Sequence, residues 1–226
     1  FEGLFLQAVG RVPELENAGI RQLINGPEAF TPDGSFILGE SPEVRGFFVG
    51  AGFNAYGIAA NGGAGRALAE WIVGGEPSMD LWPVDIRRFG EYQRDTKFLI
   101  ERTIEATGKH YTMAWPSEEH ESGRLVKTSP LYEHLTVAGA CFGSKFGWER
   151  PNWFAPAGVA PRDESSYGRA NWFEYVAREH RQTREAVALF DESSFAKYLL
   201  AGPGAEKALS WICANDIAVP PGRLVY

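Results

Sequence analysis

The stretch 47-FFVGAGFNAYGIAANGGAGRALAEWIVGG-75 decides how the first half of the chain is read. An apolar run of strand type meets a burst of glycines, and apolar residues then recur at helical spacing. The pattern predicts a buried strand beginning over 46–49, a glycine-rich turn, and a helix starting near Asn61. Asn61 is of the type that caps a helix, Ala67, Leu68, Trp71 and Ile72 form an apolar stripe, and Gly74-Gly75 ends it. Gly50, Gly52 and Gly57 lack the Cβ that keeps a ligand away from the backbone, and Gly62, Gly63 and Gly65 do the same at the helix mouth. A helix start offers unpaired N–H groups and a partial positive charge, which suit a phosphate or an electron-rich ring carbonyl. The dinucleotide finger is not satisfied, because the spacing is G-x-G-x-x-x-x-G and no acidic residue closes a second strand about twenty residues on. The P-loop fails too, since no Gly-Lys-Ser/Thr follows. Spacing alone leaves two readings, a ligand site and a close-packed strand–turn–helix.

Working outward, residues 1–15 predict a short helix through Leu4, Leu6, Val9 and Val12. The run 20-IRQLINGPEAFTPDGSFILGE-40 reads as strand, turn, strand, with Asn25-Gly26-Pro27 and Pro32-Asp33-Gly34 as turn chemistry. A second helix is expected after Asp85, with Ile86, Phe89 and Tyr92 on one face, running towards Gly108. Residues 109–127 read as an exposed connector, open to trypsin at Lys109, Arg124 and Lys127; Pro116, Gly123 and the acidic Glu118, Glu119 and Glu121 set its character. Beyond it a helix is expected over 171–189, with Asn171 and Glu174 as a capping box, then a strand over 195–201, a Gly202-Pro203-Gly204 turn and a helix over 205–214. Helix and strand types are mixed throughout, so the fold class is α/β with α+β character.

A chain of 226 residues holds one large domain or parts of two. A net charge of -7 without a basic block argues against a nucleic-acid groove or an anionic membrane surface as partner. No apolar run reaches membrane-spanning length, and 1-FEGLFLQAVGRVPELE-16 lacks the basic start of a secretory signal. Cys141 and Cys213 exclude a disulfide framework and point to a reducing compartment. The histidines at 110, 120, 134 and 180 show no metal-ligand spacing, so no metal is expected. The start at Phe1 without Met, and the strand-like end at Val225-Tyr226, read as a piece of a longer polypeptide.

The runs 25-NGPEAFTPDGSFILGE-40, 46-GFFVGAGFNAYGIAANGGAGRALAEWIVGG-75 and 84-VDIRRFG-90 resemble the sarcosine and dimethylglycine dehydrogenase family, flavoproteins related to the D-amino-acid oxidases. The resemblance implies the last part of an FAD domain, in which the glycine-rich segment lies along the flavin ring and its side chain and the helix start faces the flavin. Carried over, the flavin-contacting stretch is Ala55, Tyr56, Gly57, Ile58, Ala59 and Ala60. The ADP-binding finger, the flavin-attachment histidine and the catalytic bases of the family would lie before Phe1, so no catalytic residue is assigned. Ala59 stands where related monomeric sarcosine oxidases carry a carboxylate-binding lysine, which the dehydrogenase branch also lacks.

From 127-KTSPLYEHLTVAGACFGSKFGWERPNWF-154 and 178-REHRQTREAVALFDESSFAKYLLAGPGAEKALSWICANDI-217 the text resembles the folate-binding aminomethyltransferase of glycine cleavage. The resemblance implies a division into 1–85 (end of the FAD domain), 86–127 (connecting helix and linker) and 128–226 (start of the folate domain). It implies oxidative demethylation of sarcosine or dimethylglycine, with FAD and tetrahydrofolate as cofactors. Electrons would leave to an electron-transfer flavoprotein or to oxygen, in a bacterial cytoplasm or a mitochondrial matrix. The rival reading is a non-catalytic relative resembling the regulatory subunit of pyruvate dehydrogenase phosphatase, which shares both modules. The remaining marked residues read as structural: Trp148, Trp153, Phe154 and Pro151 as core or interdomain packing in preference to a pterin- or flavin-stacking role, Asp191 as a strand-entry cap in preference to a mechanistic role, Tyr132 and His134 as surface or packing, Cys141 and Cys213 as buried small residues, and Arg87 and Arg88 as surface or interdomain ion-pair partners.

Overall fold

The glycine-rich stretch folds as strand, turn and helix in a computed structural model that describes residues 1–226. Two compact units divide the chain, Phe1–Met113 and Ala114–Tyr226. Helices and two-stranded sheets mix in both, in keeping with the expected α/β, α+β class.

The first unit opens with α1 (Glu2–Arg11) and a 3-10 turn over Pro13–Asn17. Its sheet is β1 (Ile37–Glu40) paired antiparallel with β2 (Phe48–Ala51), in the register Ile37↔Ala51 to Glu40↔Phe48. The strand expected near 20–24 does not form, and Ile20, Leu23 and Ile24 stay exposed. The other edge of β1 is already taken, because Leu38 makes a parallel bridge to Asp85. β2 is half-buried to exposed rather than buried, since its hairpin is only two strands wide.

α2 (Gly57–Gly74) packs its Ala64, Ala67 and Trp71 stripe on this hairpin. Trp71 meets Phe48 edge-on at 5.8 Å between ring centres. Gly39 accommodates that indole: at φ 115° its Cβ would lie 2.8 Å from the Trp71 ring. Gly75 ends α2 in the left-handed conformation, as expected. The start differs, because α2 begins at Gly57 and leaves Asn61 exposed inside the helix instead of capping it. Ile72 is exposed too, so the buried stripe is narrower than the sequence pattern.

The single helix expected over 86–108 is broken. Two 3-10 turns, Ile86–Arg88 and Glu91–Arg94, precede α3 (Thr96–His110). Two aspartates cause the breaks. The Asp85 carboxylate accepts from the Arg87 N–H, and the Asp95 carboxylate accepts from the Phe98 N–H at 2.8 Å, so each starts a new turn.

In the second unit α4 (Tyr132–Val137) leads into β3 (Ala140–Lys145) and β4 (Trp148–Phe154), an antiparallel hairpin closed by Phe146 and Gly147 at φ 50° and 81°. Cys141, Trp153 and Ala155 form the core, with Trp172 and Tyr175 against it; Trp153 stacks on Tyr175 at 5.3 Å. Trp153 is thus a packing residue. α5 (Phe173–Glu185) is shorter than expected and lacks the capping box. Asn171 instead accepts from the Glu164 N–H and donates to the Arg162 carbonyl, while Glu174 pairs with Arg169.

The segment 195–201 forms no strand, for all four strands are used up within their own hairpins. Tyr198 is 92% exposed there. α6 (Ala205–Ile212) forms after the Gly202-Pro203-Gly204 turn but leaves Trp211 90% exposed, and Cys213 beyond it is exposed rather than buried. Asp191 caps no strand: its carboxylate accepts from the Ser129 hydroxyl at 2.5 Å and from the Ser193 N–H at 3.0 Å.

The connector 111–127 contains no helix or strand, but it is not loose. The Arg124 guanidinium donates to both Glu149 oxygens, at 2.9 and 2.5 Å, and to the Phe142 carbonyl. Glu119 accepts from the Ser144 N–H and the Asn152 amide. Lys127 makes a parallel bridge to Trp148. The exposure expected from its composition holds over 111–118 and at Glu121, whereas Glu119 and Arg124 are half-buried ties.

Candidate functional site

The stretch 55–60 spans the turn after β2 and the first helical turn of α2. Three residues before α2 adopt left-handed backbone: Gly52 at φ 61°, Asn54 at 48° and Ala55 at 66°. Together they turn the chain between β2 and α2. Ala60 N–H donates to the Tyr56 carbonyl and closes the first turn. The N–H groups of Gly57, Ile58 and Ala59 precede any i−4 carbonyl of the helix. They lie on an open surface, with Ile58 94% exposed and Ala55, Tyr56 and Ala59 also exposed. A Cβ at Gly62, Gly63 or Gly65 would meet nothing within 4 Å, so packing inside this chain does not account for these glycines.

Gly52 is different. Its Cβ would lie 2.6 Å from the Thr31 methyl, so this glycine serves the fold and not a ligand. Thr31 also holds Asn54. The Thr31 N–H donates to Asn54 Oδ1 at 2.8 Å, and Asn54 Nδ2 donates to the Gly52 carbonyl at 2.6 Å. Asp33 accepts from the Thr31 hydroxyl at 3.0 Å and from Arg88 Nε at 2.6 Å. Arg88 donates further to the Ser35 carbonyl at 2.7 Å, and its side chain is only 8% exposed. The expected ion pair forms, but within the first unit, where Arg88 acts as an internal clamp. Arg87 keeps closer to that expectation, half-exposed and paired with Asp85 at 2.5 Å while lying over Trp71.

Tyr56 stands 5.0 Å from the His110 ring, which also meets Phe30 and Tyr111. Sequence reading missed Asn54, Thr31, Arg88 and His110 around this turn. The T-P-D-G and G-F-N motifs marked the first two; nothing local marks Arg88, whose partner Asp33 lies 55 residues away.

The second unit has a cleft of about 840 Å³ lined by Glu119, Arg124, Cys141, Asp163, Arg169 and Trp172. Its inner carboxylates are engaged, Asp163 by the Trp153 indole N–H at 2.6 Å and Glu119 by β3 and Asn152. His134 is exposed on α4, in line with a surface role.

Comparison with known proteins matches 74–129 to the FAD dependent oxidoreductase central domain and 131–226 to the GCVT N-terminal domain. The chain thus carries parts of both, and sarcosine and dimethylglycine dehydrogenases are its homologues along nearly its whole length. Among individual relatives, the 4-methylaminobutanoate oxidase (formaldehyde-forming) of Paenarthrobacter nicotinovorans is 44% identical over 100% of this chain. Human mitochondrial sarcosine dehydrogenase is 40% identical over 97%. The mouse mitochondrial pyruvate dehydrogenase phosphatase regulatory subunit is 40% identical over 100%. The chain spans only 27%, 27% and 26% of these relatives.

Proposed function

We propose that this chain works as part of an FAD-dependent enzyme that oxidatively demethylates an N-methylated amino acid and passes the carbon to tetrahydrofolate. The observation that carries the flavin half is the open start of α2. Its donor set fits the electron-rich edge of a flavin: the helix N-terminus adds partial positive charge, and the side chains at Ala55, Gly57, Ala59 and Ala60 are small enough for close approach. Bound FAD supplies a two-electron acceptor. The residues of this chain orient it and stabilise charge through the N–H groups of Gly57, Ile58 and Ala59. A hydride equivalent leaves the N-methyl carbon of sarcosine or dimethylglycine, and the resulting iminium carries the carbon to tetrahydrofolate as a methylene group. The GCVT match over 131–226 supports the second step; on this reading 128–226 is the start of that domain and 1–85 the end of the flavin domain. An electron-transfer flavoprotein or oxygen reoxidises the cofactor.

Mitochondrial and bacterial relatives support a bacterial cytoplasm or a mitochondrial matrix as the location; no helix is long and apolar enough to cross a membrane. The regulatory subunit among the relatives favours a second reading, in which the same modules are non-catalytic.

Anaerobic titration of the flavin-loaded protein with sarcosine, dimethylglycine and 4-methylaminobutanoate separates the readings. One of them is expected to bleach the flavin, and added tetrahydrofolate to suppress formaldehyde release. A flavin inert to all three would favour the regulatory reading. Unchanged formaldehyde release would sink the folate step.

A further inference from the structure

We propose that Asn54 is a positioning residue for the flavin-facing turn, locked in place by Thr31 and, through Asp33, by Arg88. The inference rests on the flavin reading of 55–60 and adds the device that holds that stretch. Asn54 is 1% exposed although its side chain is polar, and it sits directly before the stretch. Both ends of its amide are used: Oδ1 takes the Thr31 N–H, and Nδ2 serves the Gly52 carbonyl with the Thr31 hydroxyl at 3.3 Å. Its own N–H donates to the Ala29 carbonyl at 3.1 Å. Four polar ties on one buried side chain and its backbone exceed what a simple turn requires.

The backbone explains the need. Asn tolerates left-handed φ, but Ala55 follows it in the same region, which is strained for an L-residue with a Cβ. Such a pair persists only where its surroundings over-determine it. Thr31 does so twice, with its methyl against Gly52 and its N–H on Asn54. Arg88 fixes Thr31 in turn, by gripping Asp33 and the Ser35 carbonyl on either side of the Gly34 turn. Relaxation at Asn54 would swing Ala55 towards ordinary backbone and rotate the first N–H groups of α2 away from their target.

The test uses the flavin-loaded protein and sulfite, an anion whose affinity for flavin follows the positive potential around the ring. Asn54→Ala and Asn54→Gly are expected to weaken sulfite binding about three- to tenfold, the scale of a helix-terminus contribution, and to shift the visible flavin spectrum. Phe98→Leu, in the buried face of α3, serves as control: it should lower thermal stability and leave sulfite affinity alone. Should Asn54→Ala fail to fold, Asn54→Gly decides, because it retains the left-handed φ. Wild-type sulfite affinity and spectrum in folded Asn54→Gly would overturn the proposal. Gly57→Glu separates it from the reading beneath. If Gly57→Glu prevents flavin incorporation while the Asn54 variants are silent, only the positioning role falls. If Gly57→Glu also leaves the flavin untouched, the flavin-facing assignment itself falls.

Discussion

The two hairpins of this chain solve one problem in different ways. Each is only two strands wide, and each gains a third backbone segment through an isolated parallel bridge: Asp85 on Leu38 in the first unit, Lys127 on Trp148 in the second. In both, a buried carboxylate paired with arginine fixes the docked segment. Asp85 of the first pairs with Arg87, its neighbour two residues along. Glu149 of the second pairs with Arg124, across 25 residues, and also takes the Leu125 N–H at 2.8 Å. A local pair can reform wherever its short segment goes. A long-range pair holds two segments that otherwise separate, so the second hairpin should depend on its carboxylate far more than the first.

Glu149→Gln tests this most severely. The Glu149 side chain is nearly inaccessible and Arg124 is mostly covered, so removing the charge leaves a guanidinium without its partner. A loss of about 3 kcal/mol is expected from breaking such a pair, read as a lower midpoint in urea. Asp85→Asn should lose less, about 1–2 kcal/mol, because half-exposed Arg87 turns to water and keeps its place over Trp71. Equal losses would break the distinction between local and long-range pairing.

Acid should reach both pairs. Burial pushes the Glu149 carboxyl up, but the Arg124 hydrogen bonds and charge and the Leu125 N–H outweigh it, and its pKa ends below the ordinary value. Asp85 behaves likewise, burial being outweighed by hydrogen bonds from Arg87 and by the charges of Arg87 and Arg88. Folded pKa values below the unfolded ones mean that both contributions are full above about pH 4–4.5 and fade as pH falls through the folded values. Stability in urea should therefore decline on the acid side of that window, and less steeply in Glu149→Gln. An unchanged acid slope in that variant would show that Glu149 does not titrate as described.

How much of this could be read beforehand depended on distance along the chain. The T-P-D-G turn, the α2 stripe through Ala67 and Trp71, and the Gly75 stop are local signals, and they hold. Asn61 misled as a helix cap, because a left-handed pair at Asn54 and Ala55 had already turned the chain and started the helix at Gly57. Residues 195–201 have strand composition, but a strand needs a partner that composition cannot supply. Arg88 and Arg124 looked like surface charges, and their burial is a consequence of partners 55 and 25 residues away. The stretch 55–60 was proposed to face a flavin through its resemblance alone, and no local signal marked Arg88, which fixes the backbone before it.

A labelling rate reads the second hairpin directly. Cys141 lies in β3 opposite Trp153, while Cys213 follows α6 in the open. Burial, with the Asp163 carboxylate nearby, pushes the Cys141 thiol from 9.0 up to about 11. The thiolate is the reactive form, so this rise leaves much less of an already small population at neutral pH. Burial then slows access further. Iodoacetamide should therefore label Cys213 rapidly and Cys141 at least ~100-fold more slowly, as read by mass spectrometry of the two cysteine peptides. Glu149→Gln should raise the Cys141 rate selectively, since loosening β4 and the Arg124 segment opens β3 to solvent. If the two thiols react alike in the unaltered protein, β3 is not closed over its core. A Cys141 rate untouched by Glu149→Gln would mean that the long-range pair fixes the connector without securing the hairpin beneath it.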